Sequence, residues 1–240
     1  MMNKPKIFGV VPARSGSRGL INKNIRSLLG KPLLAWSIEA GIKSGVLDKI
    51  ILLTDNKEYA EIGKKYGAEV PWLEPSKLAT DTSHVFHALK WLVEKLVESG
   101  ERPDYIVLLE PTAPARQVSN IRDLVNLVIE HSADAGFTVL PVPTGHNAHW
   151  QLNISEDGKT TLINGDSVGK IIRRRQQLPQ LYVRGGSTYV SKVENLLKKE
   201  PDIYGDDTRA LVIDPKYALD LDNEEDWKEA EKILPSLVAE

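Results

Sequence analysis

The sequence predicts an α/β fold, a doubly wound and mainly parallel sheet with helices on both faces. Three observations carry the prediction. Apolar runs rich in β-branched residues, IFGVV at 7–11, KIILLT at 49–54 and YIVLL at 105–109, read as strands buried on both faces. Stretches with helical apolar spacing lie between them, and such alternation implies parallel strands joined by right-handed crossovers. Polar or proline-stiffened loops follow the first and third runs, at the carboxyl ends of strands, where sheets of this kind bind ligands.

The elements follow in order. Residues 32–43 carry Leu33, Leu34, Trp36, Ile38 and Ile42, a helical pattern with Pro32 in its first turn. After the strand at 49–54, Asp55 and Asn56 are turn or N-cap residues for a helix over 58–66, stopped by Gly67. A short extended piece at 70–73 leads to the polar segment LATDTS at 78–83 and a helix over 85–97. Asp81, His84 and His87 fall at i, i+3, i+6; this near a helix start is better read as capping and surface than as a metal site. Residues 120–131 form an amphipathic helix capped by Ser119 or Asn120, and 136–142 a further strand. From 143 to 183 the alternation stops, and TGHNAHW with the hairpin turn Glu156-Asp157-Gly158 reads as an excursion; His146 and His149 are loop or interface residues. A strand at 185–190 and a helix at 225–234 close the chain.

With 240 residues and one pattern throughout, a single domain over 1–240 is expected. Charged residues make up 27% at a net charge of −2, so no polyelectrolyte partner such as nucleic acid is implied. Cysteine is absent, which excludes disulfides, thiolate metal sites and a cysteine nucleophile. MMNKPK meets the first strand without an apolar leader and no apolar run reaches 18 residues, so a soluble, cytoplasmic chain with no membrane partner is expected.

The chemistry concentrates in the loop after the first strand. Pro12 and Ala13 end that strand, Gly16 and Gly19 allow positive φ and close backbone approach, and Arg14, Arg18 and Lys23 add three charges with no acid among them. Successive N–H groups curled round an anion, with three cations beside them, suit a triphosphate. No GxGxxG or GxxxxGK[ST] occurs there: five positions before Gly30-Lys31 stands Ile25. Near the C-terminus ALDLDNEED alternates Leu219 and Leu221 with Asp220 and Asp222. In a strand both carboxylates would share a face, where a divalent cation such as Mg2+ relieves their repulsion. Read alone, Asp222 or Asn223 is also, with less weight, a helix cap.

PARSGSRGLINKN resembles the N-terminal signature of the sialic-acid-type cytidylyltransferases, PAR-x-x-S-[KR]-G followed by K-N. Further on, LEPTAPAR is similar to the family's LQPTSPLR, RRQQLP to its RxQxxP, and GGSTYV to its NGAIYI, in the family's order over residues 7–234. The resemblance implies a three-layer nucleotidyltransferase of the nucleotide-diphospho-sugar transferase type, with 143–183 as a protruding dimerisation and acceptor-site element. It implies CTP as donor and a 2-keto-3-deoxy sugar acid as acceptor, joined to give a CMP-sugar and pyrophosphate in a homodimer. The nucleotide-contacting positions it implies are Arg14, Ser17, Arg18, Lys23, Asn24 and Thr82, with Arg14, Lys23 and Asp222 catalytic. Acceptor positions are Glu110, Thr112, Arg116, Arg175, Gln176 and Tyr189, and Asp220 and Asp222 hold the metal. The chain departs from the pattern at Glu74, where the family commonly has Arg, at Glu110 for Gln and at Gly185 for Asn, so a different acid acceptor or nucleotide stands as the alternative, beside a non-catalytic nucleotide-sensing dimer.

Overall fold

A computed structural model describes residues 4–16, 19–79 and 84–238. Along the chain run β1 (Ile7–Pro12), the two-residue strands β2 (Ser27–Leu28) and β3 (Lys31–Pro32), α1 (Leu33–Ser44), β4 (Lys49–Leu53), α2 (Lys57–Lys65) and α3 (Val85–Glu98). Next come β5 (Tyr105–Leu109), α4 (Val118–Glu130), β6 (Ala135–Pro141), β7 (Leu152–Ile154) and β8 (Thr160–Leu162). The chain ends with β9 (Tyr182–Lys192), α5 (Val193–Leu197), β10 (Thr208–Val212) and α6 (Glu224–Val238).

Six strands form the central sheet in the order β10-β6-β9-β5-β1-β4. β1 pairs in parallel with β4 and β5, and β10 in parallel with β6; β9 alone is antiparallel, inserted between β5 and β6. The expected mainly parallel sheet is therefore present. Alternate residues of the central strands face opposite layers. Ile7, Val11, Ile50, Leu52, Val107 and Leu109 pack with Leu34 and Ile38 of α1 and Ile121, Leu124 and Val128 of α4. Phe8, Val10, Ile51, Leu53, Ile106 and Leu108 pack with Leu89, Leu92 and Val93 of α3 and Leu196 of α5. Both faces being covered explains why these strands read as continuous apolar runs.

A third cluster matters most for the site. Leu20 and Leu28, from the segment after β1, close with Leu33 onto Leu221, Trp227, Ala230 and Leu234 of the C-terminal segment. Burying each such large side chain contributes roughly 1.5–3 kcal/mol, so the two ends of the chain are joined by apolar packing.

The structure corrects several local readings. Residues 218–222 are irregular rather than a strand, because they bridge a short 3-10 turn at Pro215–Tyr217 and α6. The leucine alternation still operates: Leu221 is buried and Leu219 packs against the same cluster. α4 starts at Val118 with Gln117 at its N-cap, so neither Ser119 nor Asn120 caps it. β10 at the sheet edge had no sequence signal, since TRALV lies half-exposed and carries a charge. The hairpin at 156–158 forms between β7 and β8, which make a separate two-stranded sheet.

Candidate active site

The carboxyl ends of β5, β1 and β4 open into one pocket of about 220 Å³. Its walls include Arg14, Lys23 and Asn24 from the loop after β1, Glu110 and Thr112 from the turn after β5, and Leu53 and Glu74 on the β4 side.

The loop is held from both sides. At its start the Ser15 N–H and hydroxyl both donate to the Asp55 carboxylate at 2.7 Å, so Asp55 tethers the loop to the end of β4. Sequence reasoning gave Asp55 only a turn or cap role; Asn56 is the actual cap, accepting from the Glu58 and Tyr59 N–H groups. Gly16 takes φ +77°, as its loop position required. A Cβ on Gly19 would stand 2.4 Å from the Asp222 carbonyl oxygen, so the close approach expected of this glycine is to the C-terminal segment. Past it, Asn22 in the left-handed region turns the chain into the 3-10 turn Lys23–Ile25, which buries Lys23 and Asn24. Asn24 donates to the Arg14 carbonyl at 3.2 Å.

Lys23 joins the two ends of the sequence. Its ammonium donates to the Leu221 carbonyl at 2.8 Å and to the Asp222 carboxylate at 3.0 Å. The Asp222 side chain is 71% exposed, so the carboxylate keeps an open side toward solvent. Capping of α6 falls to Asn223, whose side chain accepts from the Glu225 and Asp226 N–H groups. Asp222 is thereby left for the ion pair. The Leu221 N–H donates to the Thr112 carbonyl at 3.0 Å, which fixes this segment against the turn after β5. Asp220 is held by the Thr112 hydroxyl, and desolvation, with Asp222 nearby, raises its pKa above the ordinary carboxylate value.

Two acids line the pocket itself, Glu74 and Glu110. Burial pushes Glu110 up to about 7 against the pull of Arg116, and pushes Glu74 up to about 7 with Asp55 adding and Arg14 opposing. In both, desolvation outweighs the attraction of the nearby cation.

The remaining predicted residues divide. Arg116 is buried beneath the pocket rather than lining it. Its guanidinium donates to the Ser187 carbonyl, the Thr188 hydroxyl, the Ser37 hydroxyl at 2.7 Å and the Glu110 carbonyl at 2.6 Å, and burial lowers its pKa to about 10. With its donors taken by the protein, it braces the β5 turn against β9 instead of facing a ligand as expected. Tyr189 lines an adjoining cavity with Arg184, Tyr204 and His84, which meets the first pocket at Val85 and Glu110. Arg175 and Gln176 are exposed in the excursion, where Arg175 donates to the Thr144 hydroxyl at 3.2 Å; this chain does not bring them to the pocket. His84 caps α3, its ring nitrogen accepting from the Phe86 N–H, and among the described residues no group of three or more potential ligands could hold a metal. Ser17, Arg18 and Thr82, and Asp81 of the histidine cluster, lie outside the described residues.

The sequence model of a family described as Cytidylyltransferase matches residues 8–234. The CMP-N,N'-diacetyllegionaminic acid synthase of Legionella pneumophila is 32% identical over 230 residues, spanning 95% of this chain and 96% of that protein. The N-acylneuraminate cytidylyltransferase of Escherichia coli is 30% identical over 225 residues, 94% of this chain but 51% of the relative, so the chain spans about half of that protein. The pseudaminic acid cytidylyltransferase of Campylobacter jejuni is 28% identical, with 94% of each chain covered. Among solved structures, a CMP:2-keto-3-deoxy-manno-octonic acid synthetase complexed with CTP has a TM-score of 0.70 at 12% identity, covering 96% of this chain and 99% of that one, which shows a shared fold. No helix among the described residues is long and apolar enough to cross a membrane.

Proposed function

The chain belongs to the cytidylyltransferase family, and from that premise we propose that it transfers CMP from CTP to a sialic-acid-like 2-keto-3-deoxy sugar acid, releasing pyrophosphate. The observation that carries the reading is the Lys23–Asp222 pair. It joins a basic, glycine-containing loop to Asp222, nearly two hundred residues away, beside the pocket at the carboxyl ends of the three central strands. The names of the similar proteins, which give diacetyllegionaminic, N-acylneuraminic and pseudaminic acids, support the acceptor class.

The reaction is attack of the sugar's anomeric hydroxyl on the α-phosphorus, forming a P–O bond and breaking the bond to the leaving pyrophosphate. Catalysis then consists of positioning and charge neutralisation. Lys23, held in place by Leu221 and Asp222, and Arg14 beside it offer cations to the phosphates, and Asn24 fixes the backbone of the loop at Arg14. The donor set fits Mg2+: Asp220 and Asp222 are hard oxygen ligands a residue apart, Asp222 has an open side, and Mg2+ needs only one or two protein carboxylates besides water and phosphate oxygens. When bound, the ion neutralises charge on the α-phosphoryl oxygens and the leaving pyrophosphate. The cavity of Arg184, Tyr189 and Tyr204 beyond Glu110 is the place for the acceptor. Residues 1–240 act as one nucleotidyltransferase domain, with 143–183 supplying a homodimer contact and Arg175 and Gln176 reaching the partner's acceptor site, in a cytoplasmic enzyme. Exposed Leu152, Ile154 and Ile163 in that excursion support the contact.

Pyrophosphate release from CTP and Mg2+ across a panel of 2-keto-3-deoxy sugar acids tests the reading. Acceptor-dependent release with at least one nonulosonic acid is expected; release with none of them would refute the acceptor class.

A further inference from the structure

The loop after β1 is fastened at both of its ends to one corner of the fold, the turn from β4 into α2. At the near end the Ala13 N–H donates to the Leu53 carbonyl at 2.8 Å, and the Ser15 N–H and hydroxyl each donate to one oxygen of the Asp55 carboxylate at 2.7 Å. Gly16, at φ +77°, is the first residue past that anchor. At the far end the Tyr59 hydroxyl, carried on a buried ring of α2, donates to the Asn22 side-chain oxygen at 3.2 Å. Asn22 is the left-handed residue at which the chain turns into Lys23–Ile25. Asn56 caps α2 between the two anchors, so Asp55 and Tyr59 project from one braced corner.

By charge alone Asp55 is out of place. Beside a loop that carries Arg14 and Lys23, an acid subtracts from the attraction for an anionic ligand. Its field reaches the pocket wall, where, after burial, it adds to the raised pKa of Glu74. Its hydrogen bonds act in the opposite sense. A carboxylate that accepts from both donors of Ser15 holds that residue in one orientation, and a loop ordered before the ligand arrives spares binding the entropic cost of ordering it.

We propose that Asp55 is a positioning residue for triphosphate binding: together with Tyr59 it holds the loop after β1 in its binding shape before the nucleotide arrives, and this ordering outweighs the repulsion between its charge and the phosphates. The proposal rests on the nucleotidyltransferase reading above and assigns a residue that acts on the nucleotide only through the loop. Because the two effects of Asp55 have opposite signs, the sign of one measurement separates them.

CTP with Mg2+ is titrated calorimetrically, without acceptor, into the full chain, Asp55→Ala, Asp55→Asn, Ser15→Ala and the Ser15→Ala/Asp55→Ala double variant, with thermal melts to verify folding. Asp55→Ala should weaken CTP binding by about 10-fold or more, the range for hydrogen bonds to a charged group. Asp55→Asn, whose side-chain oxygen still accepts one Ser15 bond, should fall between that variant and wild type. Ser15→Ala loses the hydroxyl bond and keeps the charge, so it should weaken CTP too, where electrostatics alone predicts no change. Since the two residues act as one unit, the double variant should bind within about 2-fold of Asp55→Ala. Unchanged or tighter binding by folded Asp55→Ala and Asp55→Asn would overturn the proposal and leave Asp55 as a charge near the pocket. Should the Asp55 variants not fold, CTP binding by Ser15→Ala equal to wild type would overturn it as well. Asp55-dependent CTP binding without turnover of any sugar acid would refute the acceptor reading and leave this proposal standing, whereas no CTP binding by the wild type would overturn both.

Discussion

The pocket and the excursion at 143–183 are built by opposite means. The pocket is closed by bonds between distant segments: Lys23 to Leu221 and Asp222, Ser15 to Asp55, Arg116 to Ser187 and Ser37. The excursion is held mostly by near neighbours, such as Ser155 to Lys159 and Lys170 to Asp166, and it leaves Leu152, Ile154 and Ile163 exposed. Long-range, buried anchoring pre-organises polar groups for a small ligand. Local bonding beneath exposed apolar side chains instead suits a surface completed by another chain.

The sharpest way to break that contrast is to remove the charge that Lys23 of the pocket wall pairs with. Asp222→Asn should lower kcat by about 10²-fold or more, since losing a transition-state charge contact costs about 2.7–4 kcal/mol. Its exposed carboxylate carries little stability, so a thermal melt should change little. Near-normal turnover at saturating Mg2+ would return the residue to a structural role.

Next in size is Arg116→Ala. It strips several buried acceptors of their donor at once, among them the carbonyls of Ser187 and Glu110, so urea denaturation should report a loss of at least ~3 kcal/mol. A loss below ~1 kcal/mol would show that the brace between β5 and β9 is dispensable.

Glu74 and Glu110 predict a pH dependence. Both hold their protons up to about 7 in the folded chain, against an ordinary value of 4.5. Between those values the native state binds more protons than the unfolded state, so the stability from these carboxyls is full below 4.5 and is lost as pH rises through 7. Glu110→Gln should therefore gain melting temperature relative to wild type at pH 8 and show no such gain at pH 4.5. The reverse order would contradict the burial argument.

The smallest effect on the protomer belongs to the excursion. Ile154→Asp, at a side chain 71% exposed, should change protomer stability by no more than about 0.5 kcal/mol while shifting sedimentation toward the monomer. An unchanged sedimentation profile would remove this hairpin from any interface.

What the sequence disclosed follows the same division. The strands of the core were legible because burial on both faces demands continuous apolar runs, as in β1, β4 and β5. The basic loop was legible because glycines and cations within a dozen residues have few structural uses. Pairing across the chain was not: nothing local to Lys23 points to Asp222, and nothing in PTAPAR says that Arg116 turns inward. The strand expected at 218–222 failed because leucine–aspartate alternation satisfies an irregular segment with one buried side as well as a strand. Glu74 carried a signal, an acid where the resembling family commonly has Arg, but its raised pKa depends on burial that only the packing around it supplies.

The central claim is that the loop after β1 and the acids before α6 form one catalytic unit. Turnover of Lys23→Ala, Asp222→Asn and the double variant tests it most directly. Groups acting as a unit are strongly non-additive, so the double variant should turn over within a few-fold of the slower single variant. Losses that multiply across the two substitutions would contradict the account and make Lys23 and Asp222 independent contributors.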